Sequence, residues 1–132
     1  MNLVESLNIE YFRLEGDRFE AQMNLTPFHS QPFGLLHGGA TAAFAETVAG
    51  RASNELIGGD KVAVGQNIVT HHFKPKRIEG HLRAHGVLMH KGRTSHVWRI
   101  EMHDENLLLI SSVIVTNAII APGDGSPPAH VF

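Results

Sequence analysis

The chain of 132 residues contains no cysteine. Disulfides, thiolate catalysis and cysteine-ligated zinc are therefore excluded, and the redox compartment is left unread. A marked excess of either charge is also lacking, with 11 Lys and Arg against 13 Asp and Glu and a formal net charge of −2. A molecule that holds nucleic acid through its overall field is excluded on that ground. No apolar run approaches the roughly 18 residues that a membrane span needs. The opening MNLVESLNIEYF lacks a basic stretch followed by an apolar one, so no signal peptide is expected. These absences leave a soluble cytoplasmic protein, without membrane or nucleic-acid partner, as the expectation. The length suits one domain with a real hydrophobic core.

Histidine is the one residue type in excess, at ten. His81 and His85 fall on one face of an expected strand, with His71, His72 and His90 as possible neighbours. No HExxH and no cysteine partner accompanies them, so no metal site is expected. Strand histidines facing solvent or each other are the plainer reading.

Residues 9–15 (IEYFRLE) and 18–25 (RFEAQMNL) read as two short strands around Gly16-Asp17. The second alternates Phe19, Ala21, Met23 and Leu25 on one face, the period of a half-buried strand. Residues 26–36 form a loop with Pro27, Pro32 and Gly34. Residues 37–57 form the only long helix, stopped by Gly58-Gly59. Strands are then expected at 62–74, 81–90, 93–103 and 107–120, separated by turns such as Lys91-Gly92 and Asp104-Glu105-Asn106. Short turns imply antiparallel hairpins rather than parallel βαβ units. The nearly all-apolar last strand is expected to lie inside the sheet. One domain at 1–120 and a Pro/Gly-rich, poorly ordered tail at 121–132 complete the organisation. The fold class is α+β. Ala40, Ala42, Ala43, Ala45, Ala49, Gly50 and Ala52 make the helix thin, which suits one wrapped closely by a curved sheet.

The stretch QPFGLLHGGATAAFAE, from Gln31 to Glu46, carries the candidate chemistry. A helix that begins at His37-Gly38-Gly39 presents bare backbone N–H groups, which suit a developing negative charge. Glu46 has Ala42, Ala43, Ala49 and Gly50 at its helical i±3 and i±4 positions, so no neighbour offers an ordinary surface ion pair. On such a patch it is expected to be partly desolvated and more basic, a candidate base or nucleophile. A capping histidine and a solvated glutamate are the plainer alternatives. The spacing adds a constraint. Eight residues separate Gly38 from Glu46, or roughly 12 Å of helix. One carbonyl cannot be held by the first and attacked from the second within one chain. Two antiparallel helices of a two-fold dimer would bring Gly38 of one chain to Glu46 of the other.

The run QPFGLLHGG…AET resembles the signature of the hotdog-fold acyl-CoA thioesterases. It is most similar to the group that hydrolyses 4-hydroxybenzoyl-CoA and 1,4-dihydroxy-2-naphthoyl-CoA. The likeness extends over nearly the whole chain, through HHFK and KGRTSHVWRIEM. It implies a long central helix wrapped by a five- to six-stranded antiparallel sheet. It implies hydrolysis of an acyl-CoA, with an aromatic acyl group, in a homodimer that pairs into a tetramer. No cofactor is implied, since coenzyme A belongs to the substrate.

By position, the resemblance makes Glu46 the catalytic carboxylate and Gly38 the donor to the thioester carbonyl. His37 is its neighbour at the helix start, and Gln31 the loop amide that orients substrate or water. His72 and Lys74 would line the acyl and pantetheine channel. Two departures stand out. Gly50 replaces a hydroxyl residue one turn after the carboxylate, so water positioning is lost or passes to Thr47. Val113 replaces a basic residue after Ser111-Ser112. Lys74, Lys76, Arg77, Lys91 and Arg93 are candidate phosphate contacts, and Ser111 and Ser112 minor ones. A hotdog hydratase or dehydratase using His37 with Glu46, and a non-catalytic acyl-CoA sensor, are the competing readings.

Overall fold

The structure, a computed structural model, describes residues 1–122; the expected tail lies, from residue 123 onward, outside the described residues. A short helix α1 (Leu3–Ser6) precedes strands β1 (Ile9–Glu15) and β2 (Arg18–Asn24). A single 3-10 turn (Pro27–His29) leads to the long helix α2 (Gly38–Leu56). Strands β3 (Val62–His72), β4 (His81–Lys91), β5 (Ser95–His103) and β6 (Leu109–Ile120) follow. Every expected strand and the long helix are present within two residues of their expected limits. Helix α1 was not expected: four residues carry too little periodicity to be read. Its Asn2 side chain accepts from the Glu5 N–H, which caps it locally.

The six strands form one antiparallel sheet in the order β1-β2-β4-β5-β6-β3. β1–β2, β4–β5 and β5–β6 are hairpins, as the short turns require. β3 does not pair with either strand next to it in sequence. The chain passes from β2 through α2 to the far edge of the sheet, where β3 pairs with β6. That crossover leaves β6 flanked by β5 and β3, hence interior, and leaves β3 as an edge strand.

α2 packs its Phe44, Ala45, Val48, Ala49 and Ala52 on the sheet face built from Phe19, Ala21, Met23, Leu82, Ala84, Trp98, Ile100, Val113 and Val115. The small side chains let the helix lie close to the strands, as its composition suggested. One close approach fixes the register. Phe19 stands directly opposite Gly86, and any Cβ at Gly86 would overlap the Phe19 ring. The same ring packs tilted against Trp98, 5.1 Å between centroids and 59° between planes.

A polar knot sets the rotation of α2 on the sheet. The buried Ser53 hydroxyl accepts from Trp98 Nε1 at 2.8 Å and from Asn117 Nδ2 at 3.0 Å. It also lies 2.8 Å from His96 Nδ1. Burial lowers the His96 pKa, helped by the nearby Lys91 and His90. A neutral His96 accepts the Ser53 proton, so the hydroxyl is fully used. Asn54 ties the other side of the helix to β3, its amide oxygen accepting from the Ala63 N–H at 2.9 Å.

Candidate active site

The loop before α2 is pinned by buried groups. His29 is fully buried, accepts the Thr26 N–H through Nδ1 and meets the Leu7 carbonyl through Nε2 at 2.7 Å. Those two bonds fix its tautomer, with the proton on Nε2. Its own carbonyl accepts the His37 N–H at 2.8 Å, which sets where α2 begins. Gln31 closes the loop between them: its amide oxygen accepts from the Phe33 and Leu35 N–H groups. The Gln31 amide nitrogen is thereby left as the group free to donate.

The first turn of α2 has four N–H groups without helical partners. His37 Nδ1 accepts from Gly39 at 2.8 Å. The His37 carbonyl accepts from Ala40 at 3.0 Å and Thr41 at 3.4 Å. The Gly38 N–H has no partner among the described residues. His37 is thus the cap, and Gly38 is the open donor at the positive end of the helix.

Both glycines are required sterically, each by a different histidine. A Cβ on Gly39 would stand 2.9 Å from His37 Nδ1, and one on Gly38 would stand 2.8 Å from His72 Nε2. His72 is itself held through Nδ1 by the buried Ser111 hydroxyl at 3.0 Å. Gln31, Gly38, Thr41, His72, Lys74 and Ser111 share one cleft of about 360 Å³.

Glu46 lies elsewhere, in a separate and more apolar cleft of about 250 Å³ with Ala43, Thr47, Gly50, Ala63 and Gly65. Within the protomer its side chain is exposed, so the desolvation expected from its helical neighbours does not arise from this chain alone. It rests on β3: a Cβ on Gly65 would overlap the Glu46 carboxylate. Gly65 stands at the bulge of β3, where the register against β6 shifts. The Thr47 hydroxyl donates to the Ala43 carbonyl at 2.7 Å, so only its lone pairs face a ligand. Gly50 has open space where a side chain would project.

The remaining candidates separate from these two clefts. Ser112 lies on the outer face of the sheet, opposite Ser111, because adjacent strand residues face opposite sides. Lys91 ends β4 and Arg93 follows it in the β4–β5 turn, and with Lys61 and His96 they border a third cleft beyond the last turn of α2. Val113 is core. Lys76 is not available to a phosphate: it is 7% exposed and bridges Glu105 at 2.9 Å. Burial raises the Glu105 pKa, but the Lys76 bond and backbone donors outweigh it and hold the group below the usual carboxylate value. His81 and His85 sit on the outer face with His103. His85 pairs with Glu20 at 3.2 Å. Among the described residues no three His, Asp or Glu side chains gather as a metal set, and no helix is long and apolar enough to cross a membrane.

Sequence reasoning missed Asn54, His29 and the wall that Leu3 and Val4 give the Glu46 cleft. His29 carried no local signal. Asn54 had one: an amide four residues after Gly50, near the end of a helix.

Comparison with known proteins agrees with the fold. The Thioesterase superfamily model matches residues 33–111. The chain is 36% identical over 119 residues to 1,4-dihydroxy-2-naphthoyl-CoA hydrolase of Escherichia coli, covering 90% of this chain and 87% of that one. It is 42% identical over 103 residues to the proofreading thioesterase EntH of Cronobacter turicensis, covering 78% and 74%. The crystal structure of a thioesterase from Haemophilus influenzae superposes with a TM-score of 0.86 at 31% identity, covering 94% of this chain and 86% of that one. With its six-stranded antiparallel sheet around one long helix, the chain is a hotdog-fold member of the Thioesterase superfamily.

Proposed function

We propose that this protein hydrolyses an aromatic acyl-CoA thioester at a site shared between two chains. The observation that carries the reading is the single open donor: His37 caps the Gly39 N–H and leaves that of Gly38 free. A thioester carbonyl accepts from that N–H, and the oxyanion that develops on attack is stabilised there. Gln31 supplies a second donor from the same cleft. Glu46 of the facing chain drives the attack. As a base it takes a proton from water, and the hydroxide adds to the carbonyl carbon. As a nucleophile it adds directly, and water then cleaves the anhydride. In both routes the C–S bond breaks, the thiolate of CoA leaves, and the acid is released. The two-chain arrangement rests on the separation of Gly38 and Glu46 along α2 and on their opening into different clefts. The aromatic acyl group rests on the likeness to 1,4-dihydroxy-2-naphthoyl-CoA hydrolase.

The hydratase alternative asks His37 to move a proton at carbon. Its Nδ1 is instead held by the helix N-terminus. The test is Glu46→Ala, read by free-thiol release from benzoyl-CoA. A loss on the order of 10²-fold or more is expected for removing a catalytic base or nucleophile. Near wild-type turnover would overturn the assignment. An absorbance change at the enoyl band without thiol release would point to the hydratase, and binding without either to a sensor.

A further inference from the structure

A buried lysine at the edge of the Gly38 cleft is left without a role by the chemistry above. Burying an ammonium group is costly unless it is paired and fully hydrogen-bonded. Lys76 is both. Its Nζ donates to the Glu79 carbonyl at 2.7 Å and to the Arg77 carbonyl at 3.3 Å, and it meets the Glu105 carboxylate at 2.9 Å. All three of its protons are thereby used. Glu105 reaches it from the β5–β6 turn. The same carboxylate accepts the His81 N–H at 3.4 Å and covers Gly80, where a Cβ would stand 2.6 Å from Glu105 Cδ. Gly80 also has φ 68°, so two separate constraints keep that position a glycine. The ion pair thus gathers residues 76–80 into a turn and holds it against the β5–β6 connection.

The backbone of this turn holds the loop in front of α2. The Lys76 carbonyl accepts the Leu36 N–H at 2.8 Å, and Leu35 forms an antiparallel bridge with Arg77. The Leu35 carbonyl in turn accepts the Gln31 N–H at 2.8 Å. Leu36 immediately precedes His37, whose cap leaves the Gly38 N–H open. One short chain of bonds therefore runs from Glu105 through Lys76 to the two donors of the cleft, Gln31 and Gly38. Glu105 itself does not line that cleft; it borders another, with His81, Arg83 and His103. Resting on the thioesterase reading above, we infer that Lys76 and Glu105 are positioning residues for the hydrolysis: their buried ion pair sets the turn that places Gln31 and Gly38 around the thioester carbonyl. The Lys76 protons are all used, so the pair acts through the loop and not on the substrate. Donors that serve the developing oxyanion act on the transition state, so breaking the pair lowers kcat and spares KM. A lysine that held a CoA phosphate would give the opposite split, with KM raised and kcat spared.

Glu105→Ala and Lys76→Met test this with benzoyl-CoA, read by thiol release well below each variant's melting temperature. A shift of about 1 Å in a reacting group can cost on the order of 10²-fold, so each variant is expected to lose about tenfold in kcat with KM held within about twofold. Glu105 stands outside the cleft, so its effect on turnover passes only through the turn. If Lys76→Met does not fold, Glu105→Ala decides. Amide hydrogen exchange gives a second measurement that needs no turnover. In Glu105→Ala the Leu36 and Gln31 N–H groups should exchange about tenfold faster or more, ahead of any change in the β2–β4 ladder. A lower melting temperature with kcat unchanged, all amides speeding up alike, or a rise in KM alone would overturn the proposal. If the unaltered protein releases no thiol, the thioesterase reading fails instead, and exchange alone decides whether the pair holds the loop.

Discussion

A single methyl group on Gly65 should disable Glu46 without weakening the fold. The added Cβ would overlap a carboxylate oxygen of Glu46 and stand 2.9 Å from its Cδ, where ordinary contact begins near 3.4 Å. The carboxyl group must therefore retreat by about 0.5–1 Å or rotate away. A misplacement of about 1 Å in a reacting group can cost on the order of 10²-fold in rate. Gly65 has no positive φ, and alanine is no worse than glycine in a strand, so the melting temperature should hold or rise. Glu46 is exposed and can move aside at little cost to stability. Gly65→Ala is therefore expected to lower kcat for benzoyl-CoA by roughly 10- to 100-fold. The cause is isolated by a double-mutant cycle. On a Glu46→Ala background, Gly65→Ala should cost nothing further, because the group it displaces is gone. Wild-type kcat in the single variant, or an equal loss on both backgrounds, would refute the reasoning.

Gly38→Ala sets a Cβ 2.8 Å from His72 Nε2. Turnover should fall about tenfold or more as the donor shifts, and His72→Ala in the same chain should restore part of it if the ring is the obstacle. Ser53→Ala strands two buried donors, on Trp98 and Asn117, so the denaturant midpoint should drop by the equivalent of about 2–4 kcal/mol. Acid should destabilise the fold in two stages, seen as melting temperature against pH. His96, its pKa lowered on folding, resists the proton that the unfolded chain takes up from about pH 6.5 downward, so stability is lost there. Glu105, also lowered, contributes stability above the usual carboxylate pKa, which is lost as pH falls through its folded value. His96→Gln should flatten the first stage and Glu105→Gln the second.

The elements were legible because each is long enough for its period to be read. Phe19, Ala21 and Met23 alternate inward as expected, and α2 runs uninterrupted between His37 and the glycines at 58 and 59. The crossover was not legible. Nothing local in 62–72 says that it pairs with 111–120 rather than with its neighbours, since pairing is decided by where α2 delivers the chain. The same limit governed the site. The eight-residue spacing of Gly38 and Glu46 could be converted into distance because both ride one helix. Ser111 and Ser112 could not be told apart until strand phase was known. Lys76 read as a free cation because its partner, Glu105, lies far along the sequence. Gly38, Gly39 and Gly65 are demanded by side chains packed on them: His72, His37 and Glu46. In sequence Gly38 and Gly39 read as a helix start, but neither their histidine neighbours nor the role of Gly65 could be seen.

The division of Gly38 and Glu46 between two clefts has a genetic consequence under the shared-site proposal. A chain carrying Glu46→Ala damages only the site to which it lends its carboxylate, and one carrying Gly38→Ala only the site to which it lends its amide. Paired with each other, the two defective chains form one site with both lesions and one with neither. Two impaired preparations, unfolded and refolded together, should therefore regain activity in their hybrid dimers, which hold one sound site each. A site confined to one chain would show no such recovery.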